Sequence, residues 1–242
     1  MQNSLRLTDA VLPAVIIAVA VSYGYYVLNF PMDRVVANFL TPDLILNALS
    51  RHLYLIIVSA GFAILTAVPL GILLTRLKLK VLCPFVVGVV NISQTIPSFA
   101  VIALFVGILG IGPQTAIVAL WVYSLLPILN NTIAGMNGLD PAVIDASRGM
   151  GMTKLRTLYK IEVPLAMPVI MAGIRTAVVI NVATAVIAAY VGGGGLGDFI
   201  IAGKNVNRWQ ILLLGAGYAT LIALMFDYLL GLVERVVGGG EQ

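Results

Sequence analysis

Asp145-Ala146-Ser147-Arg148-Gly149-Met150-Gly151, then nine residues, then Ile161-Glu162-Val163-Pro164, is the longest charged and polar interruption of an otherwise apolar chain. On its amino-terminal side, Val81 to Leu139 runs for 59 residues without an Asp, Glu, Lys or Arg. On its carboxyl-terminal side, Pro164 opens another apolar run broken by a single charge, Arg175. Runs of that length are too long for buried strands and do not alternate, so they are read as helices that cross a membrane. The quoted stretch is then a loop at one membrane face.

Composition agrees with this frame. Of 242 residues 60% are hydrophobic and 10% charged, with a mean hydropathy of +1.05. A soluble domain carries about 25% charged residues, so too few polar groups are present to cover a water-facing surface. The expectation is one all-α integral membrane domain over residues 1–242. The net charge of +4 is small and unevenly placed, which points to membrane topology and lipid contact and away from nucleic acid. Cys83 is the one cysteine and lies in an apolar run, so it is read as a small hydrophobe. His52 has no ligand partners near it and is read as an interfacial residue; no metal site is expected.

Six spans are predicted, near residues 10–29, 53–75, 81–108, 113–136, 164–190 and 209–233. The turn signal Gly110-Ile111-Gly112-Pro113 divides the long uncharged run in two. The segment from Asn29 to His52 is read as a short outer loop that can carry a surface-lying helix. Ala18-Val19-Ala20 has a cleavage-like form, but Asp9 offsets the one Arg before the apolar run and the run continues past it, so a retained helix is expected. With the amino terminus inside, nine cations (Arg6, Arg76, Lys78, Lys80, Arg148, Lys154, Arg156, Lys160, Arg235) face the cytoplasm and four (Arg34, Arg51, Lys204, Arg208) face outward. That bias predicts both termini in the cytoplasm, with the polar loop there too.

The loop, residues 140–163, is punctuated as two short helices. Asp140-Pro141 is an N-cap followed by a residue preorganised for the first turn. Gly149 and Gly151 can adopt positive φ and stop the first helix near Arg148. Thr153 can cap a second helix carrying Leu155, Leu158, Tyr159 and Ile161, and Pro164 is expected to break the chain direction into the fifth span. Such a unit can dock an apolar ridge into a partner; an amphipathic loop resting a basic face on anionic lipid has the same features.

Spacing separates those readings. The pattern Asp-Ala-Ser, three residues, Gly151, nine residues, Ile-x-Val-Pro resembles the EAA loop of ATP-binding-cassette importer permeases: Glu-Ala-Ala, three residues, Gly, nine residues, Ile-x-Leu-Pro. Asp145, Ser147 and Val163 depart from it mildly. The resemblance implies that Asp145, Ala146, Ser147, Gly149, Gly151, Leu155, Tyr159, Ile161 and Pro164 couple the membrane helices to a separate ATPase. It also implies a five-helix core preceded by an extra amino-terminal helix, in a bacterial or archaeal cytoplasmic membrane. Two ATPase subunits, a second permease subunit, identical or homologous, and an extracytoplasmic binding protein are the implied partners. ATP and magnesium belong to the ATPase: this chain has no G-x-x-x-x-G-K-[ST] loop. Gly192, Gly194 and Gly197 fit G-x-G-x-x-G, but without a strand–helix unit they read as a turn or re-entrant bend.

Ser93-Gln94-Thr95-Ile96-Pro97-Ser98, Leu126-Pro127, Ala172-Gly173-Ile174-Arg175-Thr176 and Gly195-Leu196-Gly197 resemble permeases for glycine betaine, carnitine, choline and related osmoprotectants. Methionine and phosphonate permeases share the architecture. Candidates to line the pathway are Gln94, Thr95, Pro97 and Ser98, where Pro97 is expected to break the third span, and Asn130, Asn131, Asn181 and Thr184, whose polar groups need a cavity or another helix. Arg175 and Asp227 are expected to pair, since each alone is a costly intramembrane charge. The rival classes are an ATP-independent channel or secondary transporter, which usually keeps coupling charges at midplane, and an intramembrane enzyme, for which no nucleophile–base pair is visible.

Overall fold

The computed structural model describes residues 7–29, 33–76 and 80–238; Arg6 and Lys78, two of the cations that set the predicted orientation, lie outside them. Every regular element among the described residues is helical. In chain order these are α1 (Leu7–Asn29), α2 (Arg34–Phe39), α3 (Pro42–Leu74), a 3₁₀ turn (Lys80–Leu82), α4 (Cys83–Thr95), α5 (Ser98–Leu109), α6 (Pro113–Asn137), α7 (Pro141–Gly149), α8 (Lys154–Thr157), a π-turn (Leu158–Glu162), α9 (Val163–Ala185), a second 3₁₀ turn (Ile187–Val191), α10 (Gly197–Asn205) and α11 (Trp209–Val237).

Four described helices are long and apolar enough to cross a membrane: Pro42–Leu74, Pro113–Asn137, Lys154–Ala185 and Trp209–Val237. Three apolar segments are shorter, Pro13–Tyr26, Cys83–Ile92 and Ser98–Leu109. The last two correspond to the predicted third span. Ile96 is extended (φ −86°, ψ 131°) before Pro97, as a residue preceding proline prefers, and α5 restarts at Ser98.

α6 is the axis of the bundle. It packs against α3 on one side and α9 on the other, and α11 covers α9. The α6–α9 seam is close because Gly173 has no side chain: a Cβ there would lie 2.5 Å from Asn131 Cβ and 2.8 Å from the Pro127 carbonyl oxygen. Small residues at helix seams serve this purpose in membranes, where dispersion contacts replace the hydrophobic drive. Leu55, Ile56, Leu120, Ile128, Leu129 and Ile170 fill the core between these helices. A second cluster, with Val36, Leu40, Leu196, Phe199, Ile211 and Leu214, binds α2 and α10 to α11. Large apolar side chains such as Ile57, Phe62 and Leu65 are exposed on the outside of α3, where hydrocarbon or another subunit is the matching environment.

Three expectations are corrected. The described residues of the segment 29–52 are mostly helical, because Thr41 caps the start of α3 through the Leu44 N–H and Pro42 and Asp43 occupy its first turn. α3 therefore begins well before residue 53, and His52 lies inside it and is fully buried. Second, Gly149 is the last helical residue of α7, and only Gly151 of the two glycines has positive φ (+79°). Third, Pro164 does not break the chain direction: α8, the π-turn and α9 run on as one helix. Pro164 falls in the first turn of α9, and the preceding turn is widened, with the Val163 N–H donating to the Leu158 carbonyl. A π-turn accommodates a proline that a regular turn would force against the carbonyl four residues back.

Candidate functional site

The segment 140–163 is built from capped, short pieces. The Asp140 carboxylate accepts from the Ala142 N–H at 2.8 Å and starts α7. At its other end the Gly151 N–H donates to the Arg148 carbonyl (2.9 Å) and the Met152 N–H to the Ser147 carbonyl (3.2 Å). With Gly151 left-handed, this is a Schellman motif, which turns the chain sharply out of α7. Thr153 Oγ1 then accepts from the Arg156 N–H at 3.4 Å and starts α8.

The Asp145-Ala146-Ser147 triplet divides by role. Asp145 and Ala146 are exposed, and Asp145 meets Arg148 at 3.3 Å. Ser147 is 1% exposed and faces inward. Its hydroxyl donates to the Ile144 carbonyl at 2.7 Å and lies 3.2 Å from Thr157 Oγ1, itself buried. The pair latches α7 onto α8, so Ser147 fixes the angle between the two short helices. Outward from that latch, Val143, Met150, Leu155 and Tyr159 are exposed large apolar side chains, while Ile161 is half-buried and Pro164 exposed.

A residue that the sequence pattern left as a spacer anchors this segment to the bundle. Glu162, 7% exposed, accepts from Arg76 Nη1 at 2.8 Å, and Arg76 follows the carboxyl-terminal end of α3. The available signal was a carboxylate flanked by Ile161 and Val163 in a chain with few acids, with Arg76 the first cation after the second span.

The pathway candidates separate into three groups. Gln94 is a structural hook: Pro127 lacks an N–H, which leaves the Tyr123 carbonyl without its helical donor, and Gln94 Nε2 supplies one at 2.7 Å. The Tyr123 hydroxyl in turn donates to the Ile96 carbonyl at the break before Pro97. The proline site in α6 and the break between α4 and α5 thus satisfy each other's free carbonyls. Asn181 and Thr184 are buried within the protomer; Asn181 Nδ2 donates to Ser59 Oγ at 2.7 Å, joining α9 to α3. Thr95, Pro97 and Asn130 are exposed, Ser98 and Asn131 half-buried, with Asn131 Nδ2 donating to the Pro127 carbonyl at 2.9 Å.

Arg175 of α9 and Asp227 of α11 form a bidentate ion pair, Nε–Oδ1 2.6 Å and Nη2–Oδ2 2.8 Å. Glu234, two turns further along the same face of α11, accepts from Arg175 Nη1 at 3.3 Å. The sequence reading missed Glu234, although it lies seven residues after Asp227, two helical turns on the same face. The three groups border a cavity of about 390 Å³ with Thr176 at its wall. Among the described residues no group of three or more His, Cys, Asp or Glu is placed to hold a metal.

The site is an exposed, internally latched two-helix segment on a bundle of apolar helices. The chain belongs to the family of binding-protein-dependent transport system inner membrane components, whose model matches residues 67–238. It is 43% identical over 187 residues to the glycine betaine/carnitine/choline transport system permease protein OpuCB of Bacillus subtilis, covering 77% of this chain and 85% of that one. It is 46% identical to the carnitine transport permease protein OpuCB of Listeria monocytogenes (76% and 84% covered). The osmoprotectant import permease protein OsmY of Salmonella typhimurium is 44% identical (76% and 78% covered). The fold is similar to that of the methionine ABC transporter MetNI in an inward-facing conformation, with a TM-score of 0.68 at 23% identity over 82% of this chain and 97% of that one. An amino acid ABC transporter solved with histidines gives a TM-score of 0.67 at 20% identity, covering 85% and 99%. The protein is thus a multi-pass inner-membrane transport subunit.

Proposed function

We propose that this chain is the permease subunit of an ATP-driven importer for osmoprotectants of the quaternary ammonium class: glycine betaine, carnitine, choline or a close relative. The observation that carries this reading is the 40–46% identity, over about three-quarters of the chain, to permeases named for those substrates. Two permease subunits enclose the pathway, two ATPase subunits bind ATP and magnesium, and a separate binding protein delivers the solute. The polypeptide crosses the membrane six times with both ends in the cytoplasm; α4 and α5 together make the third crossing, and α1 is the helix added to the five-helix core.

On this reading, segment 140–163 receives the ATPase. The exposed ridge of Val143, Met150, Leu155 and Tyr159 offers apolar area to a groove, Asp145 and Arg148 set orientation, and the Ser147–Thr157 latch keeps the two helices rigid. Because α8 continues through the π-turn into α9, motion of the ridge passes into a spanning helix without a flexible joint. Thr95, Pro97 and Asn130 are the pathway candidates left on the protomer surface; Gln94 and Asn181 act as interhelical ties, while Thr184 bonds back to the Ile180 carbonyl of its own helix. The experiment is uptake of labelled glycine betaine, choline, carnitine and methionine by vesicles holding permease, ATPase and binding protein. ATP-dependent uptake of one or more quaternary ammonium compounds supports the reading, and uptake of methionine alone contradicts it.

A further inference from the structure

At the end of the bundle opposite residues 140–163, a cleft of about 790 Å³ opens between α2, the start of α3 and α10. Its position follows from the chain path: the Gly112 N–H at the start of α6 donates to the Val191 carbonyl (2.8 Å) just before the glycine run that walls the cleft, while the far end of α6 leads into α7. The volume lies in the range of small-molecule sites.

The cleft sorts charge. Arg51 is held by its Nε, which donates to the Gly193 carbonyl at 2.9 Å; its two terminal nitrogens have no protein partner among the described residues. Its guanidinium carbon lies 5.6 Å from the centre of the Tyr54 ring. Asp198 lines the same cleft, near the start of α10, and makes no ion pair with Arg51. Burial raises its carboxyl above the ordinary carboxylate value, as expected of an acid without a cation beside it. Tyr54, exposed, and Phe39, half-buried, supply aromatic surface, with the buried Phe199 behind them in the wall. Arg51 Nε and Asp198 Oδ2 flank Gly194, 3.7 and 3.6 Å from where a Cβ would stand there, so both charges border the same cleft.

We propose that this cleft is a reception site for a zwitterionic quaternary ammonium compound, with the carboxylate on Arg51 and the trimethylammonium against the aromatic side chains and Asp198. Aromatic faces attract such cations by their quadrupole, and a guanidinium presents two parallel donors to a carboxylate. The cleft thus offers groups complementary to both ends of such a substrate. The site rests on the substrate class proposed above and adds where on the permease that solute is first held after delivery.

The test uses the assembled permease–ATPase complex in lipid nanodiscs without binding protein, and two probes: glycine betaine, which has a carboxylate, and choline, which does not. Saturation-transfer NMR or equilibrium dialysis reads binding, expected on the order of millimolar for an open cleft with few contacts. Asp198→Asn and Tyr54→Leu are expected to weaken both ligands, roughly three- to tenfold for a single partly exposed contact. Arg51→Gln is expected to weaken glycine betaine alone. Gel filtration and basal ATPase activity check that each variant assembles. Should Arg51→Gln misfold, Arg51→Lys, which keeps the charge and loses the fork, is expected to weaken glycine betaine less than Asp198→Asn weakens choline. Equal loss of both ligands in the Arg51 variants would overturn the charge sorting. No saturable binding to the wild type, with osmoprotectant uptake intact in vesicles, overturns the site and leaves the proposed function standing. If quaternary ammonium uptake is itself absent, the proposed function fails first. If the variants instead weaken capture of the binding protein and leave ligand binding unchanged, the cleft is a protein-docking surface and the proposal is wrong.

Discussion

Arg76 Nη1 lies 2.8 Å from Glu162 Oε2, joining the end of α3 to the π-turn that leads out of the 140–163 segment. The Glu162 side chain is 9% exposed and that of Arg76 38%, but Arg76 Nε and Nη2 are themselves buried, so the charged ends are shielded from water and removing one partner leaves the other poorly solvated. Glu162→Gln and Arg76→Gln are each expected to lower the melting temperature of the detergent-solubilised complex and to reduce uptake several-fold. Arg76→Glu combined with Glu162→Arg is expected to recover part of both. A swapped variant no better than the worse single change would mean the two residues act separately.

The Gln94–Tyr123 hydrogen bond serves a vacancy made by Pro127, which gives a test by double-mutant cycle. Gln94→Leu leaves a buried carbonyl unpaired, a loss of about 1–3 kcal/mol. Pro127→Ala returns the helical N–H to that carbonyl. Gln94→Leu is therefore expected to be much better tolerated in the Pro127→Ala background, read by thermal stability in detergent. Equal costs in both backgrounds would show that the hook has another purpose.

Arg175 stands between two carboxylates, so its neighbours are not equivalent. Asp227→Asn leaves Glu234 to balance the charge, whereas Arg175→Gln leaves both acids facing each other across the cavity. Expression of folded protein, measured by fluorescence-detected gel filtration, is expected to fall further for Arg175→Gln than for Asp227→Asn. Arg175→Asp with Asp227→Arg is expected to fold better than either single reversal. Failure of the reversed pair to improve on the single changes would remove the support for direct pairing in the membrane.

The two glycines at the end of α7 give opposite expectations. Gly151 has φ +79°, where an L-residue costs ~1–2 kcal/mol and a β-branched one more. Gly149 is helical with open space where a Cβ would go, and alanine there gains ~0.5–1 kcal/mol of helix propensity. Gly151→Val is expected to weaken ATPase capture at least several-fold, while Gly149→Ala leaves capture unchanged or slightly stronger. The measurement is co-purification of the ATPase subunit at graded salt. The reverse order would contradict the Schellman geometry.

The long helices were legible because their signal is length and lack of charge, which survive any packing arrangement. The break at Pro97 and the caps at Asp140 and Thr153 were legible because each rests on one residue's own stereochemistry. The start of α3 was not, since Arg51 and His52 read as a boundary when charge alone is used; the Thr41-Pro42 cap, the better signal, lies eleven residues earlier. The continuity through Pro164 was hidden because a proline's effect depends on the turn before it, and a π-turn has no composition of its own. The sequence leaves Asn181 and Gln94 open as pathway lining or as ties to another helix. Which cavity or carbonyl an amide meets is decided by the neighbouring helix, so only the packed structure separates a tie from a lining residue. The Arg76–Glu162 link joins positions 86 residues apart, a pairing that no local pattern encodes.

The most direct measurement of the central claim is transport per ATP hydrolysed in vesicles holding the complete importer, comparing wild type with Leu155→Asp/Tyr159→Asp. Both side chains are exposed on the ridge, 64% and 67%, and neither supports the core, so insertion and folding are expected to survive. The variant is expected to hydrolyse ATP without accumulating glycine betaine, or to fail to retain the ATPase at all. Wild-type uptake per ATP with a normally assembled complex would contradict the assignment of residues 140–163 as the place where the ATPase drives the membrane helices.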